Sequence, residues 1–163
     1  MNNQHLGELS KKTKKIDQEN AKLFEKLKKT KPHDLDQQFQ ALHDEAFERI
    51  DCLQCANCCK TTGPLFTQKD VERLATHFRI KPSAFMQKYL HVDEDGDLVL
   101  NVLPCPFLGA DNYCTVYENR PNACREYPHT NQRKMHTILK ETYNNVSVCP
   151  AVFEMVEKLK KIY

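Results

Sequence analysis

Four cysteines fall within eight positions, Cys52, Cys55, Cys58 and Cys59, in the spacing C-x2-C-x2-C-C. Four more follow singly, at Cys105, Cys114, Cys124 and Cys149. Thiolates two residues apart can fold back onto one soft ion, because the intervening turn aims both sulfurs the same way. The run therefore reads first as a chelating loop. A disulfide ladder is the competing reading, and adjacent Cys58 and Cys59 count against it, since neighbours rarely bond each other. The same two residues leave the backbone in different directions, so they are expected to serve different metals or different corners of a cluster.

Eight sulfurs allow two four-thiolate zinc sites, one iron–sulfur cluster with spare thiols, or two clusters. A zinc ribbon shows two separated C-x2-C pairs, and only the first half of this chain has that spacing. Arg120 and Arg125 flank Cys124. They could offset the charge of a thiolate site by hydrogen bonding, or pair with Glu118 and Glu126 at the surface. Tyr117 and Tyr127 read as packing around the site. The acidic run Val92–Asp97 partly matches a calcium loop but lacks the terminal Glu, and Asp95-Gly96 reads better as a hairpin turn. His33 and His43 are possible ligands that read more simply as surface or half-buried residues, and His91, His129 and His136 show no metalloprotease spacing. No Ser/His/Asp set, phosphate-binding glycine loop or carboxylate pair is evident, so the sequence leaves open whether the chain is an enzyme.

The elements that must position these thiols are mostly helical. Ile16, Leu23, Phe24 and Leu27 predict a helix over 14–30 with lysines opposite, behind a polar, frayed segment at 1–13. Pro32 ends it. Leu35, Phe39, Leu42, Ala46, Phe47 and Ile50 predict an amphipathic helix over 34–50, capped by Asp34 and running into the cysteine loop. Thr67 with Asp70 predicts a capping box at the head of a helix over 67–78, and Pro82 starts one over 82–90. Phe85, Met86 and Tyr89 on that helix read as core. A strand over 98–103 follows the Asp95-Gly96 turn. Cys105 and Cys114 should meet across a turn at 109–112, and Pro121 should open a helical turn delivering Cys124. Residues 129–147 read as irregular or hairpin, and Pro150 starts a last helix over 150–162. The expected fold is mainly α: a small, irregular, metal-stabilised domain with a cysteine-rich core and one short β-hairpin.

With 163 residues, 28% of them charged, only four glycines and no Trp, the chain suits one modest domain. The division expected is a basic N-terminal arm over 1–31 and a cysteine-cluster metal-binding domain over 32–163. Residues 1–31 hold nine Lys against four acidic residues, a net +5, which leaves −3 for the rest of a +2 chain. That balance excludes a generally basic nucleic-acid binder, and the lysine face reads as solvated. The polar start and the lack of any membrane-length apolar stretch predict a soluble, cytoplasmic protein, where eight cysteines are metal ligands rather than disulfides.

The second half carries a resemblance. The C-x2-C-x2-C-C run, then Cys105-Pro106-Phe107-Leu108, then the stretch from Cys114 through Val116-Tyr117-Glu118, Arg120-Pro121 and Ala123-Cys124-Arg125-Glu126-Tyr127-Pro128, then Cys149, is similar to the CxxCxxCC cysteine-cluster proteins of the YkgJ type. It covers about residues 51–150. The resemblance implies chelation of zinc or iron. Where the family often has Gly, two residues before the third cysteine, this chain has Ala56, so the loop conformation is expected to differ slightly. A related run also looks to occur in flagellin lysine methylases. The three spaced thiols are similar, too, to the first ligands of a bacterial ferredoxin, whose remote ligand is followed by Pro as in Cys149-Pro150 and Cys105-Pro106.

The resulting expectation is a metal-binding protein in a structural, carrier or redox role, with all eight cysteines as ligands. Iron, as a 4Fe-4S cubane, is favoured over zinc. An iron–sulfur enzyme of electron transfer or methyl-group chemistry is the alternative. The metal ion or cluster is the expected partner, a protein partner is open, and neither a specific nucleic acid nor a membrane span is expected.

Overall fold

The computed structural model describes residues 3–163. In chain order the helices are α1 (Asn3–Lys15), α2 (Asp17–Thr30), α3 (Leu35–Phe47), α4 (Cys52–Cys55), α5 (Asn57–Thr61), α6 (Gln68–Phe78), α7 (Pro82–Tyr89), α8 (Asn122–Glu126), α9 (Leu139–Asn145) and α10 (Pro150–Ile162). The strands are β1 (Leu90–Val92) and β2 (Leu98–Leu100). The fold is 61% helical with one two-stranded antiparallel hairpin, the mainly α class that the periodicities predict. The chain divides into two compact units, a helical unit of residues 1–52 with 128–163 and a cysteine unit of residues 53–127.

In the helical unit most of the predicted stripe residues are buried, although α3 ends at Phe47 rather than at residue 50 and Phe47 and Ile50 are half-buried. Leu23, Phe24 and Leu27 of α2, Leu35, Phe39, Leu42 and Ala46 of α3, and Ala151, Val152, Met155, Val156 and Leu159 of α10 form its core. Helix α10 packs against α3 and α2 against α9, where the Phe24 and Tyr143 rings meet edge to face at 5.3 Å. Among these apolar side chains, Asn20 is fully buried with neither side-chain polar atom hydrogen bonded.

Four expectations need correction here. The segment read as frayed is helical from Asn3, while Met1 and Asn2 lie outside the described residues. The single helix expected over 14–30 is two, because the chain breaks at Ile16, with φ −113° and ψ 15°, before Asp17 restarts it. Asp34 precedes α3 without capping it: its carboxylate accepts from the Tyr163 hydroxyl at 3.0 Å and from the Gln38 amide at 3.2 Å. Residues 129–147 are not a hairpin, since Met135–Thr137 forms a 3-10 turn leading into α9. Asp36 holds that turn by accepting the N–H groups of Lys134 and Met135 at 2.7 and 2.8 Å.

The cysteine unit is less regular. Thr67 and Asp70 close the expected capping box of α6, each accepting the other's backbone N–H. Such a cap stabilises a helix by about 1 kcal/mol. Pro82 occupies the first turn of α7, where its missing N–H costs nothing. In the hairpin Leu90 pairs with Leu100, His91 with Val99 and Val92 with Leu98. Gly96 takes φ +86° in the turn, where Asp93 Oδ1 accepts from the N–H groups of Asp95 and Asp97. β2 stops at Leu100 rather than Leu103. The Asn101 amide donates to Lys88 O at 3.3 Å, and beyond it Val102 and Leu103 stand 57% and 46% exposed. Phe78, Phe85, Tyr89 and Phe107 stack with centroids between 5.0 and 6.1 Å apart. Phe85 and Met86 are thus core and a partly buried neighbour of it, and Cys105 and Cys114 pack against the same cluster.

Candidate metal centre

Three segments of the cysteine unit carry thiols toward one another. Cys58 and Cys59 stand on α5, which starts behind Ala56 at φ +49° and ψ 20°. The backbone N–H of Cys105 donates to the carbonyl of Cys59 at 2.8 Å, tying the second segment to the first. From Cys105 the chain folds over the expected turn. The Leu108 and Cys114 backbones bridge, and the Thr115 N–H and hydroxyl both donate to Phe107 O, at 2.9 and 3.0 Å. Gly109 leaves room there, since a Cβ would stand 3.1 Å from Tyr113 O and would have to displace Asp111 Oδ1 at 2.6 Å. The third segment is α8, which follows Pro121 as expected and sets Cys124 within its first turn.

Electrostatics show which thiols sense one another. Burial, with Cys59 and Cys114 adding to it, pushes the Cys105 thiol up to about 11. Burial pushes Cys124 up to about 12, again with Cys59, Cys105 and Cys114 contributing. Cys114 is raised by burial and by Cys59. Cys59 moves down, to about 7, through its hydrogen bond with Cys58 and against its burial. Cys59, Cys105, Cys114 and Cys124 therefore form one group, in which each thiolate opposes the next. A cation among them removes that opposition, so the donor chemistry fits a soft metal. As they stand, no three Cys, His, Asp or Glu side chains among the described residues are disposed to hold an ion.

The other predicted ligands are placed differently. Cys55 and Cys58 are half-buried in the same unit, Cys58 in a hydrogen bond with Cys59. Cys52 is exposed and Cys149 is buried, and both belong to the helical unit. All eight cysteines are free thiols, so the disulfide ladder is not formed. His43 turns Nδ1 to the buried Thr130 hydroxyl at 2.8 Å and lays its ring on Phe47, and burial lowers its pKa.

The loop between Cys114 and Cys124 is held by arginines. Tyr117 O accepts from Arg120 Nη1 at 2.6 Å, Glu118 O from Arg125 Nη2, and Asn119 O from Arg73 Nε at 3.2 Å. Arg120 O accepts from both Arg73 Nη2 at 2.8 Å and Arg125 Nε at 3.2 Å. Four consecutive carbonyls are thus engaged by three guanidinium groups, which lysine could not imitate because it lacks the planar fork. Beneath them lies Asp70, fully buried. Its Oδ1 accepts from Arg73 at 2.5 Å and from the Asn122 N–H at 3.1 Å. Its Oδ2 accepts from the Thr67 N–H at 2.9 Å and hydroxyl at 2.6 Å. Burial works to raise the Asp70 pKa, but these bonds from Thr67, Arg73 and Asn122 together hold it below the usual carboxylate range.

Sequence reasoning saw Asp70 only as a cap and did not find Arg73. Nothing in the spacing from 70 to 122 signals that the helix cap also binds the N–H that opens α8. It did find Arg120 and Arg125. Both donate to backbone carbonyls of the 117–120 loop, and the Arg120 charge favours the thiolate forms of Cys114 and Cys124.

Residues 51–150 match the model of the CxxCxxCC family, described as a "putative zinc- or iron-chelating domain". The chain belongs to that family. No curated protein and no solved structure matches it. No helix among the described residues is long and apolar enough to cross a membrane.

Proposed function

We propose that Cys59, Cys105, Cys114 and Cys124 are the ligands of a four-thiolate metal site in the cysteine unit. The protein then acts as a cytoplasmic metal- or cluster-binding module, in a structural, carrier or redox role. The observation that supports this most is the electrostatic coupling of these four thiols, which come from α5, the Cys105–Cys114 turn and α8, with Cys105 and Cys114 packed against the aromatic core. Four thiolates suit either one tetrahedral zinc or one cubane. Cys105-Pro106 in the set keeps the iron–sulfur form first. Cys52, Cys55, Cys58 and Cys149 stay ligand candidates by sequence pattern, and half-buried Cys55 and Cys58 would be the nearest reserve in the same unit. When bound, the metal supplies charge neutralisation and cross-linking, and a cluster would add electron transfer. The chain's own part is to hold the thiols in place and shield them on the aromatic side.

Anaerobic purification, with metal analysis and an absorption spectrum on one sample, tests this. Iron with acid-labile sulfide and a broad visible band supports a cluster. Stoichiometric zinc without colour makes the site a structural staple. A folded chain with neither metal, whose eight thiols all react freely with a thiol reagent, overturns the reading.

A further inference from the structure

We propose that β1 is a self-association edge: a second copy of this chain pairs with it antiparallel, Val92 opposite Val92. The far edge of β2 is already covered, because the Phe66 N–H donates to Leu98 O at 2.9 Å and the two residues bridge. Among the described residues no strand or bridge lies on the other side of β1. The direction of its backbone groups follows from the ladder. The Asn101 N–H donates to Tyr89 O and the Asp93 N–H to Asp97 O, both at 2.9 Å. Inward-bonding residues alternate in an antiparallel pair, so Tyr89, His91 and Asp93 bond toward β2 while Leu90 and Val92 face away. The Leu90 N–H is taken by Met86 O at the end of α7. Leu90 O and both backbone groups of Val92 are left on the open side. Natural sheets guard such an edge with Lys, Pro or a bulge. β1 reads Leu90-His91-Val92 in unbroken register, carries none of these, and leaves Val92 61% exposed.

The edge is also complementary to itself. In an antiparallel pair centred on Val92, the two Val92 residues exchange both backbone bonds. His91 then stands directly opposite Asp93 of the second copy, once on each side of the two-fold axis. His91 is exposed, and its Nδ1 lies 3.3 Å from Asn101 Oδ1, which leaves Nε2 for a partner. Asp93 commits Oδ1 to the Asp95 and Asp97 N–H groups at 3.0 and 2.8 Å, which leaves Oδ2. A basic side chain thus meets a carboxylate twice. Centring the pair on His91 instead would set two imidazoles against each other and call on the Leu90 N–H, already donated to Met86. Three residues a side bury little area, so the dimer is a weak one that forms at micromolar concentration or above.

Sedimentation equilibrium of the full-length chain, as purified and kept reduced, measures the association from micromolar to millimolar concentration. The wild type should dimerise. V92K sets two ammonium groups together at the axis and should weaken dimerisation about 10-fold or more. H91E places a carboxylate against Asp93 twice and should weaken it by a similar factor, whereas H91K keeps a basic group there and should stay within about 3-fold of wild type. Both positions are exposed, so all three variants should keep the wild-type far-ultraviolet dichroism. The Val92 amide should exchange with solvent more slowly as concentration rises, while the His91 amide, bonded within the hairpin, changes less. A wild type that stays monomeric at millimolar concentration would overturn the proposal. So would a dimer that V92K and H91E leave intact, equal weakening by H91E and H91K, or a Val92 amide whose exchange ignores concentration.

Discussion

The two units of this chain are held together by different physics. The helical unit buries long apolar stripes: five core residues of α10 alone are at most 1% exposed. It tolerates an uncompensated Asn20 in the same core. The cysteine unit has shorter elements, one aromatic cluster and three thiols, Cys105, Cys114 and Cys124, whose pKa burial raises. Its long-range order comes from Asp70, from the arginines on the 117–120 carbonyls and, by our proposal, from a metal. Hydrophobic burial is non-directional and forgives local errors, whereas a charge network or a thiolate site fails when one member is lost. A chain built from both should show two kinds of sensitivity.

The largest difference should follow removal of the metal. Structural zinc contributes roughly 10 kcal/mol or more to the folding of small metal domains. Cys124→Ser, or chelation of the wild type, should therefore strip amide-exchange protection from α6, α7 and the hairpin and leave α2 and α10 close to wild type. Hydrogen exchange with mass spectrometry reads both units in one experiment. Equal losses in the two, or none in either, would break the comparison.

Asp70→Asn should come next. It removes a fully buried charge whose partners are Arg73, Thr67 and the Asn122 N–H. Breaking such a set by changing one member costs about 3–5 kcal/mol. The pH dependence has a definite sign. The folded carboxyl titrates below its unfolded value of about 3.9, so its stabilisation is complete above that pH. It is lost as pH falls from there through the folded pKa. Acid unfolding of the cysteine unit should steepen below about pH 4 in the wild type. In Asp70→Asn this component should be absent, with lower stability already at pH 7. Parallel acid-denaturation curves for the two proteins would show that Asp70 is not the group responsible.

Much of this was legible in the residues, and unevenly so. Stripes at three- and four-residue spacing gave α2 and α3, because helical burial writes itself into local periodicity. The cap at Thr67 and the prolines before α7 and α10 are equally local signals. The helix α9 was missed because its seven residues, Leu139–Asn145, are too short to repeat a stripe. The thiols were all identified as candidates, but their grouping was not. Density in sequence singled out Cys52 to Cys59, while the electrostatic group takes Cys59 from that run and three thiols from beyond residue 100. Which distant segments meet depends on bonds such as Cys105 N–H to Cys59 O, which no spacing rule encodes.

Ala56 gives the smallest and most local test. It lies between Cys55 and α5 with φ +49°, and its methyl is 3% exposed. The family's frequent Gly at this position suggested a different loop in this chain. The structure instead shows Ala56 in the left-handed region, where glycine is at ease, so the alanine bears the strain. Relief of that strain in Ala56→Gly amounts to about 1–2 kcal/mol. Lost methyl burial and the greater freedom of an unfolded glycine offset most of it, by roughly 0.8 and 0.5–1 kcal/mol. The net change should be under about 1 kcal/mol. Ala56→Val has no such compensation, since a β-branched side chain is a true outlier at positive φ. It should cost about 2 kcal/mol or more and shift the position of Cys58 and Cys59. Had the run from Cys52 to Thr61 been one continuous right-handed helix, the order would reverse, with valine tolerated and glycine costing about 1 kcal/mol. Urea midpoints of the two variants, measured with their metal content, distinguish the cases: glycine above valine keeps the left-handed hinge ahead of the third and fourth cysteines, and valine above glycine removes it.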